Sequence, residues 1–197
     1  MITKLNNKAV ANVTSIPVAL GDMVLVSSAT ASSSASIEFS LGNYKEYKFF
    51  FVNIHPSVNE AYLGINFSTD NGSNYNVTKT TTFFQAYHFE NGSATNLQYA
   101  GSADLAQSTG DQRIISGIDD DNDSSGSGYL SVFNPSSATY VKHFISQCNT
   151  VYPDTPNLCV QQYVAGYGNT TNAINAVIFR MSSGNIDDGI IKMYGVK

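Results

Sequence analysis

Residues 47–76 read YKFFFVNIHPSVNEAYLGINFSTDNGSNYN, and three features of this stretch decide the fold. Residues 47–54 form a near-continuous apolar run, the pattern of a strand buried on both faces, and His55-Pro56 stops it. Residues 62–67 then alternate, with Leu63, Ile65 and Phe67 on one face, the period of two that marks a half-buried strand. Asp70-Asn71-Gly72-Ser73 is the clearest hairpin signal in the chain, because Asn-Gly accepts positive φ at both central positions of a type I′ turn.

The same alternation of strand and turn continues in both directions. Upstream, residues 23–26 and 36–40 read as strands joined by a Ser-rich linker. Downstream, strand patterns fall at 80–88, 96–101, 113–118, 128–133, 139–148, 159–166, 174–181 and 189–194. Gly, Asn, Asp, Pro and Ser clusters separate them at 90–93, 119–128, 134–137, 167–172 and 182–189. One helical turn is conceivable around Asp104 to Gln107. No strand is followed by a convincing amphipathic helix, so a parallel βαβ layout is excluded. The expected fold is all-β: an antiparallel two-sheet sandwich, jelly-roll-like, spanning residues 23–197.

Residues 1–22 read differently. Ile2, Leu5, Val10, Val13 and Ile16 are too apolar for a solvated tail, and Pro17 ends any short helix there. The segment reads either as a frayed terminus or, as its apolar residues favour, as an N-terminal attachment arm that packs on a neighbour.

Composition bounds the function. Of 197 residues only 13% are charged, against about 25% in an average soluble domain, while there are 12 Tyr, 11 Phe and no Trp. Hydroxyl, amide and aromatic side chains fill the gap, which suits broad polar contact surfaces. The formal net charge is −5 and the basic residues are scattered, so phosphate-backbone binding to nucleic acid is not expected. No apolar run is long enough for a membrane span, and the N-terminus lacks a signal-peptide core, so synthesis in a cytoplasm without export is expected.

Enzymatic chemistry finds little support. His55, His88 and His143 each lie in or beside an apolar strand, with no neighbouring nucleophile motif. Glu38, Glu46, Glu60 and Glu90 are the only glutamates, too few for a convincing pair of sugar-cleaving acids. The chain is expected not to be an enzyme and to need no cofactor. Asp119, Asp121 and Asp123 match the first three ligand positions of a helix–loop–helix calcium loop. However, Ser124 stands where the sharp-turn Gly belongs, and Leu130 where the bidentate Glu belongs. A non-standard calcium site and a solvated loop tip both remain open. Cys148 and Cys159 flank a ten-residue loop. They are either bridged across the base of a hairpin or reduced thiols.

Several segments carry a family resemblance: SSSASIEFS (32–40), the quoted 47–76 stretch, AYHFENGSATNL (86–97), FNPSSATYVKHF (133–144), YVAGY (163–167) and SGNIDDGIIKMYGVK (183–197). This wording resembles small virion structural proteins of tailed phages, notably those infecting marine cyanobacteria, which decorate capsids or form tail fibres. The resemblance implies a sandwich displayed on a virion as a homo-oligomer, with a trimer favoured, joined to other capsid or tail proteins through residues 1–20. It carries over no catalytic residues. Its alternative form is a tail-fibre domain that recognises a host surface glycan. Tyr152, Tyr163 and Tyr167, in or beside the loops at 149–158 and 167–172, would then be the sugar-stacking groups.

Overall fold

The computed structural model describes residues 23–196, and within them each of the twelve segments read as strands forms one. They are β1 (Met23–Thr30), β2 (Ile37–Ser40), β3 (Glu46–Pro56), β4 (Ala61–Ser68), β5 (Lys79–Phe89), β6 (Thr95–Tyr99), β7 (Gln112–Ile118), β8 (Gly126–Phe133), β9 (Lys142–Tyr152), β10 (Leu158–Gly168), β11 (Ala176–Met181) and β12 (Ile186–Val196). All pairings are antiparallel. One sheet has eight strands in the order β1-β12-β3-β8-β9-β10-β5-β6, and the other has four in the order β2-β11-β4-β7. The expected arm residues Ile2, Leu5, Val10, Val13 and Ile16 lie outside the described residues.

The strand order identifies the sandwich as a jelly roll with insertions. Without β5, β6, β9 and β10, the two sheets read β1-β12-β3-β8 and β2-β11-β4-β7. Successive strands then cross from one sheet to the other, except β4 and β7, which pair within the small sheet, giving the paired Greek keys of that fold. The inserted pairs β5–β6 and β9–β10 both join the same sheet, beyond β8. This makes the sandwich lopsided, eight strands facing four.

Aromatic residues fill the space between the sheets. Phe179 of β11 meets Phe49 and Phe51 of β3 edge-to-face at 5.2 and 5.3 Å, and Phe67 of β4 meets Phe144 of β9 at 5.4 Å. Edge-to-face pairs of this kind add to simple burial.

Three sequence expectations are corrected here. β3 is buried on one face only: Tyr47, Phe49 and Phe51 point inward, whereas Phe50 lies on the outer face, packed edge-to-face on Tyr194 at 5.5 Å. The long apolar run reflects a wide outer surface with aromatics of its own. Asn71 and Gly72 do both take positive φ, 60° and 86°, but they do not close a hairpin. β4 belongs to the small sheet and β5 to the large one, so this turn carries the chain across the sandwich. Residues 104–107 form bends, not a helical turn.

Candidate functional site

The lopsided sandwich exposes two surfaces, the outer face of the large sheet and the inner face where the small sheet ends. On the outer face, one register row runs Phe50, Tyr129, Gln147, Tyr163, Phe84, Tyr99 across β3, β8, β9, β10, β5 and β6. Phe84 and Tyr163 stack at 4.8 Å with their rings 8° apart, and the Tyr129 hydroxyl donates to Gln147 Oε1 at 2.9 Å. The only Lys, Arg, Asp or Glu residues in β9, β10, β5 and β6 are Lys79 and Lys142, and both are fully buried. This half of the outer face therefore carries no fixed charge. A shallow apolar depression of 420 Å³ opens on it, lined by Thr80, Thr82, His143, Ile145, Ala165 and Tyr167.

On the inner face, β7 is the edge of the small sheet. Beyond it the ends of β5, β6 and β10 form an open shelf, a cleft of 510 Å³. Leu158, Val160 and Ala103 give it an apolar floor, Tyr87, Phe89 and Tyr152 line it with rings, and Gln85, Gln98, Ser102 and Ser116 add amides and hydroxyls. Arg113 reaches in from β7. Its guanidinium lies 4.3 Å from the centre of the Tyr62 ring and donates from Nη1 to Ser116 Oγ at 3.3 Å. Among the described residues it makes no ion pair, and its Nε is buried without a hydrogen-bond partner. Tyr152 is held over Gly117, whose φ is +52° and where an added Cβ would sit 2.1 Å from the ring.

The three tyrosines read as one sugar-binding set are not brought together. Tyr152 lies in the inner cleft, whereas Tyr163 and Tyr167 stand on the outer face. Even-numbered residues of β10 point inward and odd-numbered ones outward, so alternation separates the two groups.

The cysteine alternatives resolve the same way. Both are free, Cys148 buried and Cys159 exposed. The β9–β10 register pairs Cys148 with Gln162 and Cys159 with Val151. The bridged reading is corrected: an odd offset of three residues puts the two thiols on opposite faces. Burial pushes Cys148 up to about 12.

Nor are Asp119, Asp121 and Asp123 gathered as the calcium pattern required. Asp119 is buried and accepts hydrogen bonds from Asp121 N at 3.2 Å, Ser124 Oγ at 3.2 Å and Asn157 Nδ2 at 3.4 Å. Its oxygens hold the loop in shape. Asp119, Asp120 and Asp121 can each bring one oxygen to within 4.8 Å of the others. Asp123 instead lies with Asp187, Asp188 and His55 around a separate polar depression.

Sequence reasoning missed a buried polar network linking the sheets. Lys79 is fully buried and donates to Asn66 Oδ1 at 2.6 Å and to Val77 O at 2.7 Å. Asn66 Nδ2 donates to Asp111 Oδ1 at 2.9 Å, and Arg180 grips Asp111 with two hydrogen bonds of 2.6 and 2.8 Å. Burial lowers the Lys79 pKa to about 8, against the opposing pull of Asp111. Burial acts to raise Asp111, but Arg180 and Asn66 outweigh it and hold the carboxyl below its ordinary value. Nothing local marks these residues in the sequence, since each sits alone in its strand or loop.

Comparison with protein-family models, curated proteins and solved structures gave no match.

Proposed function

We propose that this chain is a non-enzymatic virion structural protein, a capsid-decoration or fibre component that joins the particle through its N-terminal arm and assembles with further copies of itself. The observation that carries this reading is β1. It is an edge strand paired with β12 alone among the described strands, so a row of backbone donors and acceptors on its free side has no strand beside it. It carries no charged residue, and Met23, Val24, Leu25 and Val26 are 45, 38, 51 and 42% exposed. Proteins that stay apart guard such an edge with charge, Pro or a cover, because it templates pairing with another chain. Among the described residues β1 has none of these guards, and it directly follows the apolar arm.

The uncharged outer face supports the same reading. Aromatic surface with little fixed charge is what the cores of protein interfaces present, and symmetric closure turns one such patch into a finite oligomer. The resemblance of the sequence to tailed-phage virion proteins supplies the setting, a virion, and the partners, capsid or tail proteins. Light scattering on the purified full chain tests the assembly step. A closed oligomer is expected, with a trimer favoured, and Leu25→Lys should shift it toward monomer. Deleting residues 1–20 should leave a folded domain that no longer joins particles. A wild-type monomer at high concentration, together with unchanged incorporation of the deletion, would overturn the reading.

A further inference from the structure

We infer that the shelf beyond β7 is a binding site for an acidic saccharide, a site that the assembly reading does not require and that stands without it. The cleft volume of 510 Å³ lies within the range of small-molecule sites, roughly 300–1,000 Å³. Its lining matches the two-sided chemistry of a pyranose ring. Such a ring has an apolar face of C–H groups and a rim of hydroxyls. Tyr87, Phe89 and Tyr152 offer ring faces to the first, while Gln85, Gln98, Ser102 and Ser116 offer short polar groups to the second.

Arg113 sets the charge of the ligand. A guanidinium usually finds a carboxylate when drawn out of water, and the other arginine of the chain, Arg180, does so with Asp111. Arg113 is half-buried and has only a neutral hydroxyl and an aromatic face as partners among the described residues. A carboxylate on the ligand would complete it with the strongest neutral-pH hydrogen bonding available to that group. Of the acidic side chains near the cleft, Asp154 on its rim and Glu60 facing Tyr152 are exposed, and half-buried Asp104 accepts a hydrogen bond from the Tyr99 hydroxyl. Water and salt therefore weaken the repulsion of an anion by the first two, whereas Arg113 acts from the less solvated wall.

Shape supports this assignment over an extended peptide strand. The side chains of the shelf come from separate segments, β5, β6, the end of β9, β10 and the facing β7 wall that holds Arg113. They surround a short concavity rather than flank a long groove.

The test uses the full-length chain and two probes, trigalacturonate and the neutral trisaccharide maltotriose, in titration calorimetry at low and moderate salt. Trigalacturonate should bind and maltotriose should bind at least tenfold more weakly. Arg113→Gln should cut trigalacturonate affinity by about tenfold or more, as expected for the loss of a charged hydrogen-bonded pair, and leave maltotriose unchanged. Tyr87→Ser, half-buried on the cleft side of β5, should weaken the acidic probe in a variant that still unfolds cooperatively. Binding of neither probe to the folded wild type overturns the site. Equal binding of both, or indifference to Arg113→Gln in a variant with native melting, overturns the acidic assignment.

Discussion

Lys79 ties the stability of the sandwich to alkaline pH in a way that can be read in one experiment. Its side chain is fully buried, and burial lowers its pKa from 10.5 to about 8. In the unfolded chain the amine keeps its proton up to about pH 10.5, whereas in the folded chain it gives the proton up near pH 8. Between those values the unfolded state binds more protons, so unfolding becomes harder as pH rises through the window. The gap corresponds to about 3 kcal/mol, at about 1.4 kcal/mol per pH unit. This is a cost carried at neutral pH and relieved above pH 10.5. Lys79→Met removes the titrating group while keeping an unbranched chain. It gives up the hydrogen bonds to Asn66 Oδ1 and Val77 O, although Asn66 Oδ1 still accepts from Phe67 N at 2.9 Å. That loss shifts the variant by a fixed amount and leaves its pH dependence without the Lys79 contribution. Burial also raises Tyr75 and Cys148 to about 12. Those groups lose stability as pH climbs past their unfolded values, equally in both proteins, so they cancel in the difference. Urea unfolding followed by tyrosine fluorescence, repeated from pH 7 upward, should show wild type gaining about 3 kcal/mol on Lys79→Met as the window is crossed. Curves that stay parallel across it would refute the reasoning.

Four further outcomes follow from single residues. An aromatic disulfide reagent should label Cys159 quickly and Cys148 only on unfolding, since one is exposed and the other buried; two fast thiols, or none, would contradict the register of β9 on β10. Gln162 is fully buried with neither amide atom hydrogen-bonded, so Gln162→Met should stabilise by about 1 kcal/mol and raise the melting temperature by about 2–4 °C; a drop in melting temperature would show that the amide does have a partner. Asp119→Ala should cost about 2 kcal/mol by releasing the loop that Asp119 holds, and millimolar calcium should leave the melting of both proteins unchanged; a calcium-dependent rise in wild type alone would return Asp119 to the role of a metal ligand. Gly117→Ala places a Cβ against the Tyr152 ring at a left-handed φ of +52°. It should cost about 2–4 kcal/mol in urea unfolding, and a neutral result would mean that Tyr152 is not held where the cleft needs it.

What the sequence made legible divides along a physical line. Alternation is local, so strands such as β2, with Ile37 and Phe39 inward, and β4, with Leu63, Ile65 and Phe67 buried, could be read directly. Turn chemistry is also local, and Asn71-Gly72 does adopt the backbone its residues favour. Pairing is not local. β4 takes β11 and β7 as neighbours, and β5 takes β10 and β6, so a correct turn was attached to a hairpin that does not exist. The same gap between conformation and register separates Cys148 from Cys159, which the sequence leaves either bridged or reduced, and Tyr152 from Tyr163 and Tyr167: an odd offset or a change of strand places them on different faces.

The candidate cleft shows why this gap matters for function. Nothing about Arg113 is distinctive in QRIISGI, and Tyr152 is legible as a sugar-stacking candidate but not as the neighbour of Arg113. Their meeting depends on two insertions in a jelly roll, β5–β6 and β9–β10, both joining the larger sheet. Had one pair joined the smaller sheet, six strands would have faced six, β7 would not have been an edge, and the inner ends of β5 and β10 would have been covered. Strand count is legible in a sequence, but the partition of strands between sheets is decided by distant pairings and by which faces can be buried together. The partition of eight against four leaves apolar and aromatic surface that the described residues do not cover, beside a guanidinium with no ion-pair partner among them. A binding site at that place is thus a consequence of topology, and its chemistry is set by whichever side chains the uncovered strands happen to present.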